Sequence, residues 1–433
     1  MPTPPGHDPQ TVPLKPDGAC RVLHTADWHL GKRLGDLSRE EEHRRFLQFL
    51  RRAIEEGQVD VLMIAGDIFD SASPPQSSLT LYYDFISDLH RLGKCSTIVV
   101  AGNHDSPAHL EAPRRVLEAL RVRVVGRWPS DPREALFPLP TVEAPRVVVA
   151  AVPFLRDQDL RSGRSGQTPE EIRQELREGI AKRYDEVARA CRPWLKKKLP
   201  LIATGHLTLS DAAPSDSERE IHIGGLGAVE ANIFSRHFHY VALGHLHRPQ
   251  PGSKDHVRYS GSPIPLSFSE AEDEKEVRIL DFKDGRLFRN RPLQIPPYRR
   301  LVQWRSERAG LEWKLKDLKL AESELPTWVE VVVDDLAPGE NLFELVQRYT
   351  EGKPFEVIRV VGNRTTPSRG LHTGADERKE TIEELLGDPK RVFGHRLDRE
   401  ETLLEKDRKA LGVAFEELVS LFEDREREAR SGE

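Results

Sequence analysis

The sequence predicts a layered α/β protein that carries a metal centre where its strands end. Two observations lead there. From about Cys20 to Phe282, short aliphatic and β-branched runs alternate with helical patterns, the rhythm of βαβ units. Four of those runs end in a glycine followed at once by a residue able to bind a metal. They are Val-Leu-Met-Ile-Ala-Gly66-Asp67, Ile-Val-Val-Ala-Gly102-Asn103-His104, Leu-Ile-Ala-Thr-Gly205-His206 and Val-Ala-Leu-Gly244-His245-Leu-His247. A fifth run, Arg21-Val-Leu-His-Thr-Ala, leads directly into Asp27-Trp28-His29. Ligands in open α/β sheets sit beyond the carboxyl ends of strands, and glycine lets the chain turn sharply there. The expectation is that these strand ends bring their ligands to one edge of one sheet.

The elements follow in order. Residues 1–18 hold several prolines and no positive-then-apolar pattern, so they read as a disordered leader and not as a signal peptide. Residues 19–295 form the first domain. Its helices are expected over Glu40–Glu56, Ser77–Leu92, Pro113–Leu120 and Glu170–Cys191. Its last strands, Arg258–Ser260 and Glu276–Phe282, are separated by short turns such as Asp284-Gly285, so the sheet should become antiparallel there. Pro296-Pro297-Tyr298 marks a boundary. A smaller βαβαβ unit over 296–363, without an Asp/His cluster, reads as an accessory α+β domain with strands at Arg299–Trp304, Thr327–Val333 and Phe355–Val361 and helices at Leu311–Ala321 and Leu342–Tyr349. Residues 364–380 are polar and read as a linker. From 381 on the pattern is helical, with Asp388-Pro389 as a cap and first-turn proline. Leu404, Leu411, Phe415, Leu418 and Phe422 then fall on one stripe, which reads as a partner-docking face in preference to a helix packed on its own domain.

Composition narrows the classes. Hydrophobic residues make up 37% and charged residues 31%, and no apolar stretch approaches the ~18–20 residues needed to cross a bilayer. Three well-separated cysteines, Cys20, Cys95 and Cys191, argue for neither a disulfide framework nor a zinc site, and for a reducing cytoplasm. The net charge of −6 disfavours nucleic acid taken alone. Bound cations and local basic clusters offset it: Lys32-Arg33, Arg156 with Arg161 and Arg164, and Lys196-Lys197-Lys198, each of which reads first as solvated surface. No Gly-x-x-x-x-Gly-Lys-Ser/Thr loop is present, so the chain does not hydrolyse ATP by that route.

The ligand types suit a pair of cations. Two metals about 3.5–4 Å apart clamp a phosphodiester, and they need one anionic bridge, the place of Asp67. Imidazole with carboxylate suits manganese, iron or zinc better than magnesium or calcium. Asn103 offers a neutral carbonyl oxygen, which leaves the adjacent His104 free to protonate a leaving alkoxide. One Asp-x-His or one Gly-His is a weak signal, since a buried histidine or a capped turn explains either. Five in this order are not. His24 reads as core or as a neighbour of the ligands, and His7, His43, His90, His109, His237, His239, His256, His372 and His395 as surface or structural. His222 stays undecided.

The series Asp27-x-His29, Gly66-Asp67, Gly102-Asn103-His104-Asp105, Gly205-His206 and Gly244-His245-x-His247 resembles the calcineurin-like metallophosphoesterase superfamily. The stretches His-Thr-Ala-Asp-Trp-His-Leu-Gly, Ala-Gly-Asp-Ile-Phe-Asp-Ser, Ala-Leu-Gly-His-Leu-His-Arg and Tyr-Ser-Gly-Ser-Pro-Ile-Pro-Leu-Ser-Phe are similar, more closely, to its bacterial DNA nuclease subunits. The resemblance implies a β-sandwich flanked by helices, a small capping domain and C-terminal helices that bind an SbcC-type ATPase. It implies one metal held by Asp27, His29, Asp67 and His247, and a second by Asp67, Asn103, His206 and His245, with manganese preferred. His104 would be the catalytic histidine. Asp70, Asp105, His24, Lys32 and Arg33 would stand near substrate or behind the ligands. The implied activity is exonuclease on DNA ends and endonuclease on hairpins or single strands, in DNA repair and recombination, by a homodimer within a heterotetramer. One departure is Asp70, where archaeal and eukaryotic relatives carry a histidine; bacterial members commonly have aspartate.

Two rivals share these residues. A phosphatase or small-molecule phosphodiesterase could use the same fold, but the run after Asp67, Ile-Phe-Asp-Ser-Ala-Ser-Pro-Pro, lacks the arginine with which Ser/Thr phosphatases of this superfamily typically grip a phosphomonoester. A non-catalytic DNA-tethering scaffold would not need every ligand and His104.

Overall fold

The computed structural model describes residues 12–162, 167–214, 218, 228–320, 323–334, 341–363 and the single positions 393, 411 and 415. The chain divides into two units, residues 1–365 and 366–433. The first unit is built on two six-stranded sheets. One runs β14 (Arg286–Gln294), β13 (Glu276–Lys283), β1 (Cys20–Thr25), β4 (Val61–Ala65), β5 (Ser96–Val100) and β6 (Val122–Val125). The other runs β11 (Gln250–Pro251), β12 (Val257–Tyr259), β10 (Tyr240–Gly244), β9 (Leu201–His206), β8 (Val147–Ala150) and β7 (Leu136–Leu139). The pairs β1–β4–β5–β6 and β12–β10–β9–β8 are parallel, whereas β13, β14, β11 and β7 pair antiparallel. The expected antiparallel turn of the chain at Asp284-Gly285 is therefore present.

The strands belong to two sheets, which corrects the single-sheet expectation. Asp27, His29, Asp67, Asn103 and His104 follow β1, β4 and β5, whereas His206 ends β9 and His245 and His247 follow β10. Side-chain alternation shows why two layers form. Val22, Met63, Val100, Ile202, Tyr240, Ala242 and Leu280 point into a common core between the sheets. Leu23, Leu62, Ile64 and Val99 point the other way and pack beneath α1 (Glu40–Glu56) and α2 (Gln76–Leu92). On the far side Ala203 and Leu243 pack with Leu176, Ile180, Tyr184 and Val187 of the long helix Pro169–Ala190. Strands buried on both faces read as continuous apolar runs, which hides from the sequence which sheet each joins.

The helices begin and end where local chemistry dictates. Glu40, Glu41 and Glu42 occupy the first turn of α1, against the positive end of its dipole. Thr168 and Glu171 form a capping box at the start of the Pro169–Ala190 helix, whose first turn holds Pro169. Gly93 ends α2 at φ 76°, a conformation that suits a residue without Cβ.

The expected leader looks different in three dimensions from residue 12 on. The leader was expected to be disordered through Gly18, yet Val12 packs on the core beneath α1. The buried Arg21 guanidinium donates to the carbonyls of Pro13 and Leu14 and forms two bonds with Asp281, at 2.7 and 3.0 Å. Lys15 pairs with Asp60 at 2.5 Å. At the Pro296-Pro297-Tyr298 boundary, Ile295 and Tyr298 are buried in the α1–α2 core.

Beyond it, β15 (Leu301–Glu307), β16 (Thr327–Asp334) and β17 (Phe355–Asn363) form a parallel sheet, order β15-β16-β17, covered by the helices Leu311–Asp317 and Phe343–Thr350. This small domain is seated on the first by charge and aromatic contacts. Glu42 accepts from Arg39 and Arg299, each at 2.8 Å, and the Arg299 guanidinium lies 4.1 Å above the Trp328 ring. Phe268, Leu301 and Trp328 share a small cluster with Leu34 of the hairpin β2 (Arg33–Leu34) and β3 (Leu37–Ser38).

In the second unit Phe415 stacks on Phe393 with ring centroids 3.9 Å apart, and Leu411 is 42% exposed. The linker over 364–380 and Leu404, Leu418 and Phe422 lie outside the described residues, as do His7, His222, His372, His395 and Arg164. Among the described residues no helix is long and apolar enough to cross a membrane.

Candidate metal centre

The loops after β1 and β4 are zipped together by main-chain bonds. Asp27 N–H donates to Gly66 O at 3.0 Å, His29 N–H to Asp67 O at 3.0 Å and Leu30 N–H to Ile68 O at 2.9 Å. Asp105 ties the third loop to them. Its buried carboxylate accepts from the amides of Gly102 (2.9 Å), Phe69 (3.0 Å) and Ile68 (3.2 Å). Asp27, His29, Asp67 and His245 all have positive φ, 54°, 46°, 49° and 97°, a costly conformation for residues with a Cβ. Such strain collects where surrounding structure holds residues in place for a site. The glycines leave no spare room. A Cβ on Gly66 would stand 2.2 Å from His206 Nδ1, and one on Gly102 would stand 2.1 Å from Asp67 Oδ1.

At the centre, Asp67 divides its two oxygens. Oδ1 accepts from His104 N–H at 2.8 Å. Oδ2 stands 3.5 Å from His29 Nε2 on one side and 3.3 Å from His206 Nε2 on the other. On the first side, Asp27, His29 and Asp67 are all buried and gather their donor atoms within 4.8 Å. Asp27 Oδ1 accepts from His245 N–H at 2.8 Å, whereas Asp27 Oδ2 and His29 Nε2 are buried without a hydrogen-bond partner among the described residues. On the second side, Asn103 Oδ1 lies 2.9 Å from His206 Nε2 and 3.2 Å from His245 Nδ1.

Those separations fit cations. Metal–ligand bonds of about 2.1 Å at right angles put neighbouring donors about 3 Å apart. Two buried orphan donors beside a shared carboxylate are the polar atoms a cation would satisfy. The electrostatics agree. Burial would raise the Asp67 pKa, but His206, His29 and His104 hold it well below the carboxylate range. Burial raises that of Asp27 to about 7 against the pull of His206 and His247. Burial works against charge on His206, yet the Asp67 carboxylate lifts its pKa to about 9, so the pocket favours positive charge between them.

The imidazoles are oriented from behind. His29 Nδ1 faces Asp70 Oδ1 at 3.1 Å, His206 Nδ1 faces Ala65 O at 2.9 Å, and His247 Nδ1 faces Glu270 Oε1 at 3.1 Å. An oxygen acceptor on Nδ1 fixes the proton there and turns Nε2 to the metal. His104 follows the same pattern, its Nδ1 facing Asp70 O at 2.9 Å, and its ring meets that of His29 edge-on at 4.8 Å.

The remaining expected site residues spread outward. Asp70 joins the Lys32 ammonium, 3.1 Å away, to His29. Asp105 clamps the loops. His24 is fully buried between the sheets, with Nδ1 3.0 Å from Tyr240 OH, and belongs to the core. Arg33 bonds to the Asp36 carbonyl within its own hairpin. Arg156 lies over Phe154 and donates to Asp105 O at 3.0 Å, whereas Arg161 pairs with Asp157. Sequence reasoning missed Glu270 and Lys275. Their only signal is their place just after Ser-Gly-Ser-Pro-Ile-Pro-Leu-Ser-Phe, since neither carries a glycine or follows a strand end.

This fold and this site define a calcineurin-like phosphoesterase, the family whose model matches residues 20–249. Residues 297–401 match a second model, the Type 5 capsule protein repressor C-terminal domain. Relatives named as the SbcD component of the nuclease SbcCD align over most of the chain. That of Escherichia coli (strain K12) is 37% identical over 384 residues, 88% of this chain and 93% of the relative. That of Rhodobacter capsulatus is 41% identical over 287 residues, 64% of this chain and 70% of the relative. That of Bacillus subtilis is 30% identical over 410 residues, 93% of this chain and 96% of the relative. The chain belongs to the calcineurin-like phosphoesterase family, in the branch of the SbcD nucleases.

Proposed function

We propose that this chain is a two-metal DNA nuclease that works with an SbcC-type ATPase. The observation that carries the reading is Asp67 Oδ2, set between His29 Nε2 at 3.5 Å and His206 Nε2 at 3.3 Å. Asp27, His29, Asp67 and His247 would hold one cation, and Asp67, Asn103, His206 and His245 would hold the other. Manganese suits this mixture of imidazole, amide and carboxylate. When bound, the pair supplies Lewis-acid charge to a phosphodiester and lowers the pKa of water.

The chain's own residues do the rest. His104 is held by its backbone amide on Asp67 and by Nδ1–H on the Asp70 carbonyl, so proton exchange with a leaving alkoxide runs through Nε2. Asp105 keeps the loops bearing Asp67 and Asn103 in register. Lys32, 25% exposed at the rim, offers positive charge to a DNA phosphate. The substrates are DNA ends, hairpins and single strands, and the oligomer is a homodimer within a heterotetramer. The three free buried cysteines suit the cytoplasm. The test is incubation of the full chain with linear DNA and with a phosphoprotein, each with manganese and with chelator. Manganese-dependent loss of DNA alone supports the reading, and release of phosphate from the phosphoprotein alone contradicts it.

A further inference from the structure

We infer that Glu270 and Lys275 are positioning residues for His247, fixing which ring nitrogen it turns toward the metal pair. The inference rests on the reading of His247 as a ligand. Both side chains are buried, Glu270 at 0% and Lys275 at 5% exposure, so they carry a desolvation cost that a role must offset. The geometry names that role. Lys275 Nζ donates to Glu270 Oε2 at 2.5 Å, to His247 O at 3.0 Å and to Ser262 Oγ at 3.0 Å, which uses its three protons. Glu270 Oε2 also accepts from Leu266 N–H at 3.2 Å, and Ser262 Oγ, which lies 2.9 Å from Ile264 O, stands 3.2 Å from it. These bonds fix the plane of the carboxylate and present Oε1 to His247 Nδ1 at 3.1 Å.

An ionised carboxylate only accepts, so the proton of neutral His247 sits on Nδ1 and Nε2 is the nitrogen left unprotonated to bind a cation. The same ammonium holds the His247 main chain. Ser262 N–H joins it on the His247 carbonyl at 3.0 Å, and a Cβ on Gly261 would stand 2.6 Å from that oxygen. The 3-10 turn Phe268–Glu270 is itself anchored, because Phe268 is buried with Leu301 and Trp328 of the small domain. Asp70 does for His29 what Glu270 does for His247, but on the half-exposed rim.

The experiment uses the full chain stripped of metal, with manganese binding followed by calorimetry. Three forms are compared: wild type, His247→Ala, and Glu270→Gln with Lys275→Met. The double variant removes both charges together, so no orphan charge is left buried. We expect it to bind one of the two manganese ions about 10–100-fold more weakly, with the other unchanged. Wild-type affinity at both sites in the double variant, with one site lost in His247→Ala, would overturn the inference while leaving the ligand reading intact. A lower melting temperature with unchanged affinities would make the pair merely structural, which also overturns it. If His247→Ala keeps both affinities, the ligand reading fails and takes this inference with it. A measurement on the wild type needs no variant to fold. Imidazole nitrogen–proton correlation spectra of the metal-free chain at about pH 9 should show His247 protonated on Nδ1. The opposite tautomer overturns the inference.

Discussion

Asp67 and His104 sit side by side, and at the residue scale they are proposed to divide the work. The amide of His104 occupies Asp67 Oδ1, and this leaves Oδ2 to face both metal sides. If His104 acts on the leaving group and not on the metals, His104→Ala keeps both cations. Cleavage should then fall by about 10²–10⁴-fold, read as initial rates beside metal content. Loss of metal with activity would instead make it a ligand. Gly102 gives a steric counterpart. A Cβ there meets Asp67 Oδ1 at 2.1 Å and the Asp67 amide nitrogen at 2.3 Å, so Gly102→Ala must push away the carboxylate proposed to bridge the cations. That variant should fold, lose manganese affinity and lose cleavage, and normal binding would show that the loop yields without harm.

The elements explain how much of this was legible. Helix α1 falls on the expected residues, Glu40–Glu56, because its apolar face and acidic first turn are both local signals. The strand ends were legible because each glycine and its polar neighbour are consecutive in the chain. Their division between two sheets was not, since β4 and β9 are buried on both faces and read alike. Glu270 and Lys275 were invisible for a related reason: their contacts to His247 span 23 and 28 residues, and no periodicity records them. Leader residues 12–17 looked featureless because what holds them, Arg21 with Asp281, joins residues 260 apart. Both groups of that pair are fully buried. Asp281→Ala leaves an uncompensated guanidinium and should cost about 3–5 kcal/mol, measured by denaturant unfolding. A change below about 1 kcal/mol would mean that the carbonyls of Pro13, Leu14 and Gly57 suffice for Arg21.

At the scale of the whole molecule, the catalytic sandwich and the small domain share a packed seat at Glu42, Arg299 and Trp328. Residues 366–433 form the second unit. Its stripe at Leu404, Leu411, Phe415, Leu418 and Phe422 is proposed to dock on the ATPase, a contact in which a few large side chains carry ~2 kcal/mol or more each. The stack of Phe415 on Phe393 shows that one of these rings already has a partner within the unit, so Leu411, 42% exposed, is the sharper probe. Deleting residues 381–433 should spare manganese-dependent cleavage by the isolated chain and remove co-purification with the ATPase. Leu411→Asp should weaken that co-purification without changing the melting temperature, and the reverse pattern would make the tail a structural helix.

The central claim is that Asp67 bridges two cations that together cleave DNA. Manganese stoichiometry measured on the folded full chain, wild type beside Asp67→Asn, with DNA hydrolysis followed in the same samples, tests it most directly. The account predicts two manganese ions per wild-type chain, cleavage abolished by chelator, and an Asp67→Asn chain that stays folded but loses bound metal and cleavage together. An Asp67→Asn chain that retains two ions and cuts DNA at the wild-type rate would contradict it.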